Sequence, residues 1–387
     1  MKPRAGSKAL IREINEALVL DIVRAHGPVA RATIATRTGL SAATVTGITA
    51  KLLQSGLLTE SDMVQGAAGR PARLLELGGD TVLAAGVRLS STEVYVVLVN
   101  LRGEVVASHQ EPLGTTARQD VAKTIEQAVC TAAARHGSAA LIGVGVAVSG
   151  VVDHAGGMVR HSGSLGWEGV PLRAMLSETL EVPVVIDSYV NCVAAGLLLF
   201  DTVLAGRDLL IFSVGPSLGA SVVVQGRIHR GWNGAAGGFA HSRVGGDRGA
   251  ADRPCHCGAV NCLETYSSHW GIVRELERRL EPTGHLAERD DEVIAEAAET
   301  LGTAMANASK MLGPEHVVAA FTKEMNLPVL ARRAEAAFRR QYHHENTPAP
   351  DLEFTSADRP ALARGAACVV LARMFTADLS GTNTHAR

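Results

Sequence analysis

Three cysteines and a histidine in the second half of the chain have the types and the spacing of metal ligands. Cys255, Cys257 and Cys262 form a Cys-x-Cys-x4-Cys pattern, and His241 precedes them. Three thiolates and one imidazole fill the tetrahedral shell of a structural Zn²⁺ site and leave no position open for water. The pattern therefore predicts a zinc ion that holds the loop in shape. His256 is the alternative fourth ligand, but its two cysteine neighbours would crowd the ion.

The bulk composition indicates a globular protein of more than one domain. The chain has 387 residues, of which 47% are hydrophobic and 20% charged, and a single ordinary core does not extend over that length. The N-terminal residues lack the apolar run of a signal peptide. No stretch has the roughly 20 uninterrupted apolar residues that a membrane span needs. We expect a cytoplasmic protein that does not contact a membrane.

Charge is spread unevenly along the chain. The formal net charge is −2, yet residues 1–78 contain ten Lys or Arg against six Asp or Glu. A basic N-terminal segment on an acidic remainder places any nucleic-acid contact at the N-terminus.

The basic segment begins with a predicted amphipathic helix over residues 10–26. Its apolar residues recur with the 3.6-residue helical period, at Leu10, Ile14, Leu18 and Ile22. Gly27-Pro28 ends this helix, and a short helical segment with a turn at Gly39 follows.

Ser41 can N-cap a further helix, whose inward face carries Val45, Ile48 and Leu52 and which Gly56 ends. A helix, a glycine turn and a capped second helix form a helix-turn-helix, in which the second helix enters the major groove of DNA. Small outward residues allow close backbone approach, contact with thymine methyl groups and hydroxyl bonds to phosphates. The predicted DNA contacts are Ser41, Ala42, Ala43, Thr44, Thr46, Gly47 and Thr49, with Lys51 as a charge facing the DNA backbone.

Two short strands follow this helix, at 57–61 and 73–77, around a polar loop that is typical of a wing. Within the loop, Pro71 keeps Arg70 extended. An extended arginine fits a narrow, A·T-rich minor groove, where the negative potential is deepest. A protein-interaction module built from three helices and a hairpin is the alternative, and the basic charge favours DNA.

From residue 81 onward strands alternate with helices, which predicts an α/β body. A strand followed by a hairpin occurs twice, at about 83–106 and 209–230. This duplication predicts two similar lobes with a small-ligand cleft. The expected domains are a winged helix-turn-helix at 1–80, a first α/β lobe at 81–205, and a second lobe at 206–387 with the zinc loop and C-terminal helices.

These motifs resemble those of the ROK family, which contains repressors, uncharacterised reading frames and sugar kinases. GAAGGFAHSRV followed by CHCGAVNCLE is similar to its signature, Glu-x-Gly-His and then Cys-x-Cys-Gly-x-x-Gly-Cys-Leu-Glu. SLGWEGVPL, VPVVIDSYVN and GRPARLLEL resemble the regulator branch, so the likeness extends over essentially the whole chain. It implies a two-lobed, actin-like (ribonuclease H-like) ATPase-fold body, a homo-dimer or tetramer, and a double-stranded DNA operator that is often palindromic.

The chain departs from the family's kinases at four elements. Arg88 stands at the acidic position of the first phosphate loop, and Tyr189 stands where an aspartate would accept the hydroxyl proton of a sugar. The second phosphate loop reads Gly-Pro-Ser-Leu-Gly at 215–219, and residues 317–324 lack the Gly-Gly pair that would receive a nucleotide. A tyrosine with a pKa near 10 is a poor general base at neutral pH, so these departures argue against an enzyme.

The sugar site implied by the resemblance is also altered. Gly238 replaces the signature glutamate and Ser164 replaces an asparagine. A site that hydrogen-bonds a sugar rejects it when these groups are missing, so an altered sugar, another metabolite and no ligand at all stay open. The predicted effector-binding residues are Ser164, Tyr189, Asn191, His241 and Glu264.

Together these features predict a DNA-binding transcriptional regulator controlled by a small-molecule effector or a partner. The alternative is an active sugar kinase that carries a DNA-binding segment. The two differ at residue 189, because the kinase needs a carboxylate there.

Overall fold

The computed structural model describes residues 8–65, 71–79, 81–137, 139–244, 252–279, 287–343 and 347–376. The chain divides into two compact units. Unit 1 comprises Met1–Ala147, Pro171–Ile186 and Ala363–Arg387, and unit 2 comprises Val148–Val170 and Asp187–Leu362. This division differs from the boundaries predicted at 80/81 and 205/206. The N-terminal segment shares unit 1 with the first five-stranded sheet. The chain enters unit 2 twice and returns to unit 1 after each entry.

The N-terminal part of unit 1 contains three helices and a small antiparallel sheet. Its elements are α1 (Lys8–His26), β1 (Val29–Ala30), α2 (Arg31–Thr38), α3 (Ala42–Gln54), β2 (Leu58–Gln65) and β3 (Pro71–Leu77). The sheet has the strand order β1-β3-β2. Both strands of the hairpin extend further toward residues 66–70 than the sequence predicted.

The predicted cap of α3 is confirmed. Ser41 has an extended backbone, and its hydroxyl accepts a hydrogen bond from the Thr44 N–H at 3.1 Å. This bond satisfies one of the backbone donors that every helix start leaves without an intrahelical partner. Val45, Ile48 and Leu52 are buried as expected.

The residues that α1 buries are not the ones whose spacing predicted the helix. The buried residues are Ala17, Leu20 and Val23, together with Val19, whereas Leu18 is 42% exposed. The helix carries apolar residues on more than one side, and it packs against α2, α3 and β3 through the side that includes Leu20. Periodicity alone does not choose between two such stripes, because both satisfy the helical repeat.

The remaining elements, in chain order, are β4 (Val82–Leu89), β5 (Glu93–Asn100), β6 (Val105–Pro112), α4 (Arg118–Ala134), β7 (Ala140–Val148), β8 (Val151–Asp153), β9 (Met158–Ser162), β10 (Trp167–Val170), α5 (Leu172–Ser177), β11 (Val184–Ser188), α6 (Tyr189–Phe200), β12 (Leu209–Val214), β13 (Leu218–Val224), β14 (Arg227–His229), α7 (Glu264–Ser267), α8 (His269–Arg279), α9 (Ala287–Leu312), β15 (His316–Phe321), α10 (Pro328–Gln341), β16 (Asp351–Ser356) and α11 (Arg359–Phe375). Among the described helices, none is both long and apolar enough to span a bilayer.

Two five-stranded sheets share one topology. Their orders are β11-β7-β4-β5-β6 and β14-β13-β12-β15-β16. In each, the first strand in sequence lies in the middle, pairs antiparallel with the next strand along the chain, and pairs parallel with a later one. The predicted duplication of strand and hairpin is confirmed at the level of topology. A small third sheet, β10-β9-β8, belongs to unit 2.

In unit 1, α11 lies directly on the backbone of the sheet. A Cβ added at Gly86 would lie 1.9 Å from the Ala363 carbonyl oxygen, and one added at Gly145 would lie 1.9 Å from that of Ala366. The two glycines, on the paired strands β4 and β7, therefore permit a helix-to-sheet approach that any side chain would block.

We expect Gly145→Ala to destabilise the protein by about 3 kcal/mol, since overpacking a well-filled core typically costs about 1–3 kcal/mol and here the obstacle is backbone. The urea-unfolding midpoint measures this effect. Gly114→Ala is the matched control, because a Cβ there meets nothing within 4 Å. Equal midpoints for the two variants would contradict the close approach.

Candidate functional site

Four side chains of unit 2 converge into a candidate metal centre. The ligand atoms of His241, Cys255, Cys257 and Cys262 all lie within 4.8 Å of one another. Cys255 Sγ is 3.6 Å from His241 Nδ1, and Cys257 Sγ is 3.7 Å from Cys262 Sγ. A tetrahedral ion bound at about 2.3 Å by sulfur and about 2.0 Å by nitrogen requires ligand separations of about 3.5–3.8 Å. The predicted ligand set is brought together at distances that fit a metal ion.

The backbone of the cysteine loop is bent to present these thiols. The Cys255 N–H donates to the Ala259 carbonyl at 2.9 Å, and the Gly258 N–H donates back to the Cys255 carbonyl at 3.0 Å. Gly258 and Asn261 adopt positive φ angles of 88° and 58°. Glycine and asparagine tolerate this left-handed conformation best. The side-chain oxygen of Asn261 also accepts the Arg253 N–H at 2.9 Å, which closes the base of the loop.

Protonated cysteine thiols in the loop oppose the binding of a metal ion at low pH. Burial raises the pKa of the Cys255 thiol and raises that of Cys262 to about 12. Burial, with a contribution from His256, lowers the pKa of His241 and favours the neutral imidazole that a metal needs. Because two buried thiols must give up protons to become ligands, metal binding should release protons and weaken as the pH falls.

His256 is not part of the converging ligand set. Its ring packs edge-on against Trp270, with centroids 5.0 Å apart, and lies 5.6 Å from the ring of His241. His241 is therefore the fourth member, as the sequence predicted, and the alternative is not supported by the geometry.

An ion-pair network anchors the loop to α8 and α9. The Arg253 guanidinium lies 3.9 Å from the ring centroid of Tyr266 and pairs with Glu296 at 2.9 Å and with Glu275 at 3.3 Å. Burial of Glu275 works against its ionisation, but hydrogen bonds from Arg278 and Arg279 lower its pKa to about 2. A carboxylate this buried keeps its charge only because three guanidinium groups surround it.

Glu264 follows the last cysteine by two residues and is almost completely buried. Its Oε2 accepts the Leu218 N–H at 2.9 Å, whereas its Oε1 has no hydrogen-bond partner among the described residues. Burial raises its pKa to about 7, against the effect of the bond from Leu218. A buried acceptor without a partner costs free energy unless a ligand or water satisfies it. Glu264 is thus the strongest single indication of a binding site in unit 2.

Asn191 is held by other protein groups. Its side-chain nitrogen donates to Asp187 Oδ1 at 2.8 Å, and its oxygen accepts the Ser221 hydroxyl at 2.8 Å. Ser221 and Leu218 both lie on β13, so this one strand contacts Asn191 and also Glu264, at positions about 10 Å apart along the backbone.

Asp187, which the sequence reasoning did not select, is the centre of a buried polar network. Its Oδ2 accepts two bonds from the Arg230 guanidinium, at 2.6 and 2.8 Å, and lies 3.1 Å from His154 Nδ1. Burial alone would raise the pKa of Asp187, but His154 and Arg230 hold it below the usual value. Its place within the VPVVIDSYVN motif was a usable signal, whereas Arg230 is 43 residues away and carried none.

Ser164 and Tyr189, the other two residues predicted to bind an effector, contact different parts of unit 2. The Ser164 hydroxyl is 2.5 Å from that of Ser149, and its neighbour Gly163 lies next to His256 of the cysteine loop. Tyr189 is the first residue of α6 and packs on a hydrophobic cluster that includes Leu209. All five candidates belong to unit 2, and His241 and Glu264 are the two that the cysteine loop joins directly.

The outward face of α3 carries most of the predicted DNA contacts. Ser41, Ala42, Ala43, Thr44, Thr46 and Gly47 are all exposed. The outward orientation predicted for Thr49 is wrong, because Thr49 is fully buried, donates to the Thr46 carbonyl and accepts from Arg31. Lys51 is exposed but pairs with Glu16 of α1 at 2.7 Å. Arg70 lies outside the described residues.

The turn between β4 and β5 carries an internal ion pair at the predicted position of the first phosphate loop. Arg88 Nη1 donates to Glu93 Oε1 at 2.9 Å across this turn. The Arg88 guanidinium thus neutralises a carboxylate of its own hairpin.

Comparison with known proteins places these features in a family. The ROK family model matches residues 84–373. The chain is 27% identical over 345 residues to a xylose repressor of Caldicellulosiruptor bescii, a match that includes 81% of this chain and 84% of the relative. It is also 28% identical over 263 residues to a glucokinase of Halalkalibacterium halodurans, with 60% of this chain and 78% of the relative included.

One solved structure is similar over nearly the whole chain. It is described as a ROK family transcriptional regulator, a homologue of the Escherichia coli MLC protein, and it superposes with a TM-score of 0.78 at 22% identity. The superposition includes 96% of this chain and 98% of that chain. At this identity the likeness establishes the fold.

We expect Glu275→Gln to lower the free energy of unfolding by about 2–3 kcal/mol at pH 7, because it leaves three guanidinium groups without their buried carboxylate. Because the pKa of Glu275 is lowered by folding, its contribution is present above pH 4.5 and is lost as the pH falls toward 2. The stability gap to the wild-type protein should therefore narrow below pH 4.5.

Thermal unfolding between pH 7 and pH 3 measures this gap, and any titration of the metal ligands cancels in the difference between the two proteins. Glu335→Gln is the matched control, since Glu335 pairs with Arg339 at the surface of α10, where an ion pair contributes less than about 1 kcal/mol. A gap that stays constant with pH would contradict the assignment.

Proposed function

Because the chain belongs to the ROK family, we propose that it is a sequence-specific DNA-binding transcriptional regulator. The observation that carries this proposal is α3, a capped helix that exposes a row of small residues within a unit of three helices and a three-stranded sheet. That element order supports a winged helix-turn-helix with α3 as its recognition helix. The relation to a xylose repressor supports the same function.

The proposed operator contacts combine base and backbone recognition. Ala42, Ala43, Thr46 and Gly47 allow α3 to approach the major groove closely. Arg70 is proposed to enter a narrow, A·T-containing minor groove beside each half-site. A homo-dimer or tetramer would present two recognition helices to a palindromic site.

The metal is proposed to be a structural Zn²⁺. Three thiolates and an imidazole are a ligand set that zinc prefers, and protein groups would fill all four positions of a tetrahedral shell. His241, Cys255, Cys257 and Cys262 would hold the ion, which ties the turn at 238–241 to the cysteine loop.

An effector or partner is proposed to act through unit 2. The buried, unsatisfied Oε1 of Glu264 favours a ligand with a hydroxyl or amino donor. Ser164, Tyr189, Asn191 and His241 complete the proposed site. A ligand that binds one conformation of the protein better than another would shift the affinity for DNA.

We propose that the chain lacks kinase activity. Tyr189 stands at the position of the base and packs on an apolar cluster, and Arg88 is paired with Glu93. The alternative, a sugar kinase with a DNA-binding segment, predicts ATP turnover with a hexose. A coupled assay with a hexose panel should show none, and measurable turnover would favour the alternative.

Selection of bound duplexes from a random DNA library by the full-length protein tests the main proposal. We expect enrichment of a palindromic sequence containing A·T pairs. Ala43→Asp should weaken binding to that sequence at least tenfold, because the new carboxylate faces the DNA phosphates. The same substitution adds an acidic residue to the first turn of α3, which favours the helix, so lost binding would not reflect unfolding.

Ala336→Asp is the matched control, since Ala336 is likewise an exposed alanine on a helix, α10 of unit 2. It should leave DNA binding unchanged. No enriched sequence, or an Ala43→Asp variant that binds as the wild-type protein does, would overturn the proposal.

For the metal, we predict about one zinc ion per chain by elemental analysis, and loss of the ion and of most soluble protein in Cys257→Ser. Cys130→Ser is the control, because Cys130 is an exposed cysteine in unit 1. A wild-type protein that keeps its unfolding temperature after complete metal removal would refute a structural role.

A further inference from the structure

A carboxylate in the N-terminal part of unit 1 holds two arginines. Glu60 on β2 accepts a hydrogen bond from Arg31 Nη2 at 2.9 Å through Oε1, and one from Arg73 Nη1 at 2.7 Å through Oε2. Both bonds lower the pKa of Glu60, so the carboxylate stays charged. The two guanidinium groups are thus fixed on either side of one acidic group.

The cluster lies beside the proposed recognition helix. Arg31 is the first residue of α2, and its Nε also donates to the Thr49 hydroxyl of α3 at 3.2 Å. Arg73 lies on β3, which pairs with β2 in the hairpin that leads to residues 66–70. Thr49 and Lys51 are separated by about 200° around α3. Arg31 and Lys51 therefore flank the exposed face of α3 from opposite sides.

The cluster of Arg31, Arg73 and Glu60 has one more positive charge than an ion pair, and both of its arginines reach solvent. Two permanently charged guanidinium groups face one carboxylate, which leaves a net positive charge at this surface. The Arg73 side chain is 62% exposed and that of Arg31 is 32% exposed. An arginine fork has five N–H donors, and Glu60 takes one from each, so donors are left for a further acceptor.

We propose that Arg31 and Arg73 contact DNA phosphates next to the recognition helix, and that Glu60 is the positioning residue that sets the spacing of the two forks. This inference rests on the proposed DNA-binding function. Phosphate oxygens accept N–H donors from arginine forks, and contacts of this kind fix the register of a protein on the duplex without reading sequence.

The salt dependence of DNA binding tests the two arginines. Each phosphate that a cation neutralises contributes about 0.9 to the slope of log affinity against log salt concentration on duplex DNA. Arg31→Gln and Arg73→Gln should each reduce this slope by about one. Each should also weaken binding to a random duplex of equal length, and should weaken binding to the selected operator more, because on the operator the two forks also hold α3 in register.

Arg339→Gln is the matched control, because Arg339 is 59% exposed and ion-paired with Glu335 in unit 2. Its slope should equal that of the wild-type protein. Arg73 makes no contact with the buried Thr49 among the hydrogen bonds described, so Arg73→Gln tests the proposal even if Arg31→Gln impairs folding. Unchanged slopes in folded variants overturn this inference alone, whereas a wild-type protein that binds no DNA overturns the proposed function.

The variant Glu60→Gln distinguishes a positioning role of Glu60 from a general contribution of this residue to the stability of the fold. The variant removes one negative charge, so affinity for random DNA should rise, while the operator should lose the fixed geometry of the forks. The ratio of operator to random affinity should therefore fall at least threefold. If Glu60 only supports the fold, the two affinities will fall together with the unfolding temperature, and the positioning role is refuted.

Discussion

The convergence of one imidazole and three thiols is the constraint that ties the cysteine loop to the rest of unit 2. The cysteine loop from Asp252 to Leu263 is held by a few backbone and side-chain hydrogen bonds, each worth only about 1 kcal/mol. A bound structural zinc contributes about 10–16 kcal/mol in small peptides. A zinc ion bound at these four ligands would therefore outweigh those bonds in keeping the loop folded. Glu264 follows Cys262 by two residues and Arg253 precedes Cys255 by two, so the same loop positions both a buried acceptor and an ion-pair network.

Several buried polar groups of unit 2 are engaged with other protein groups. Asp187 lies two residues before Tyr189, and its oxygens are already occupied by Arg230, His154 and Asn191. His154 and Arg230 keep this buried carboxylate ionised. The unsatisfied oxygen of Glu264 is the contrasting case, because only an additional molecule can complete it.

The N-terminal helices are attached to the first sheet of unit 1. Arg102 donates to the Leu77 carbonyl at 2.9 Å, Thr81 donates to that of Gly56 at 2.9 Å, and the Arg24 guanidinium lies 5.5 Å from the ring centroid of Phe375 on α11. The proposed effector residues belong to unit 2. The helix α11 is continuous, with its first residues assigned to unit 2 and its last residue, Phe375, near Arg24.

What the sequence by itself determined is local or repeated along the chain. The metal ligands, the Ser41 cap and the duplicated strand and hairpin follow from residue types at short spacing, because backbone geometry restricts neighbours directly. Tertiary structure alone decided which stripe of α1 is buried, that Thr49 faces inward toward Arg31, and that Lys51 pairs with Glu16. It also brought Arg230 to Asp187 and assembled unit 1 from three separate segments of the chain. Partners separated by tens of residues leave no periodic trace, since their meeting depends on how whole elements pack.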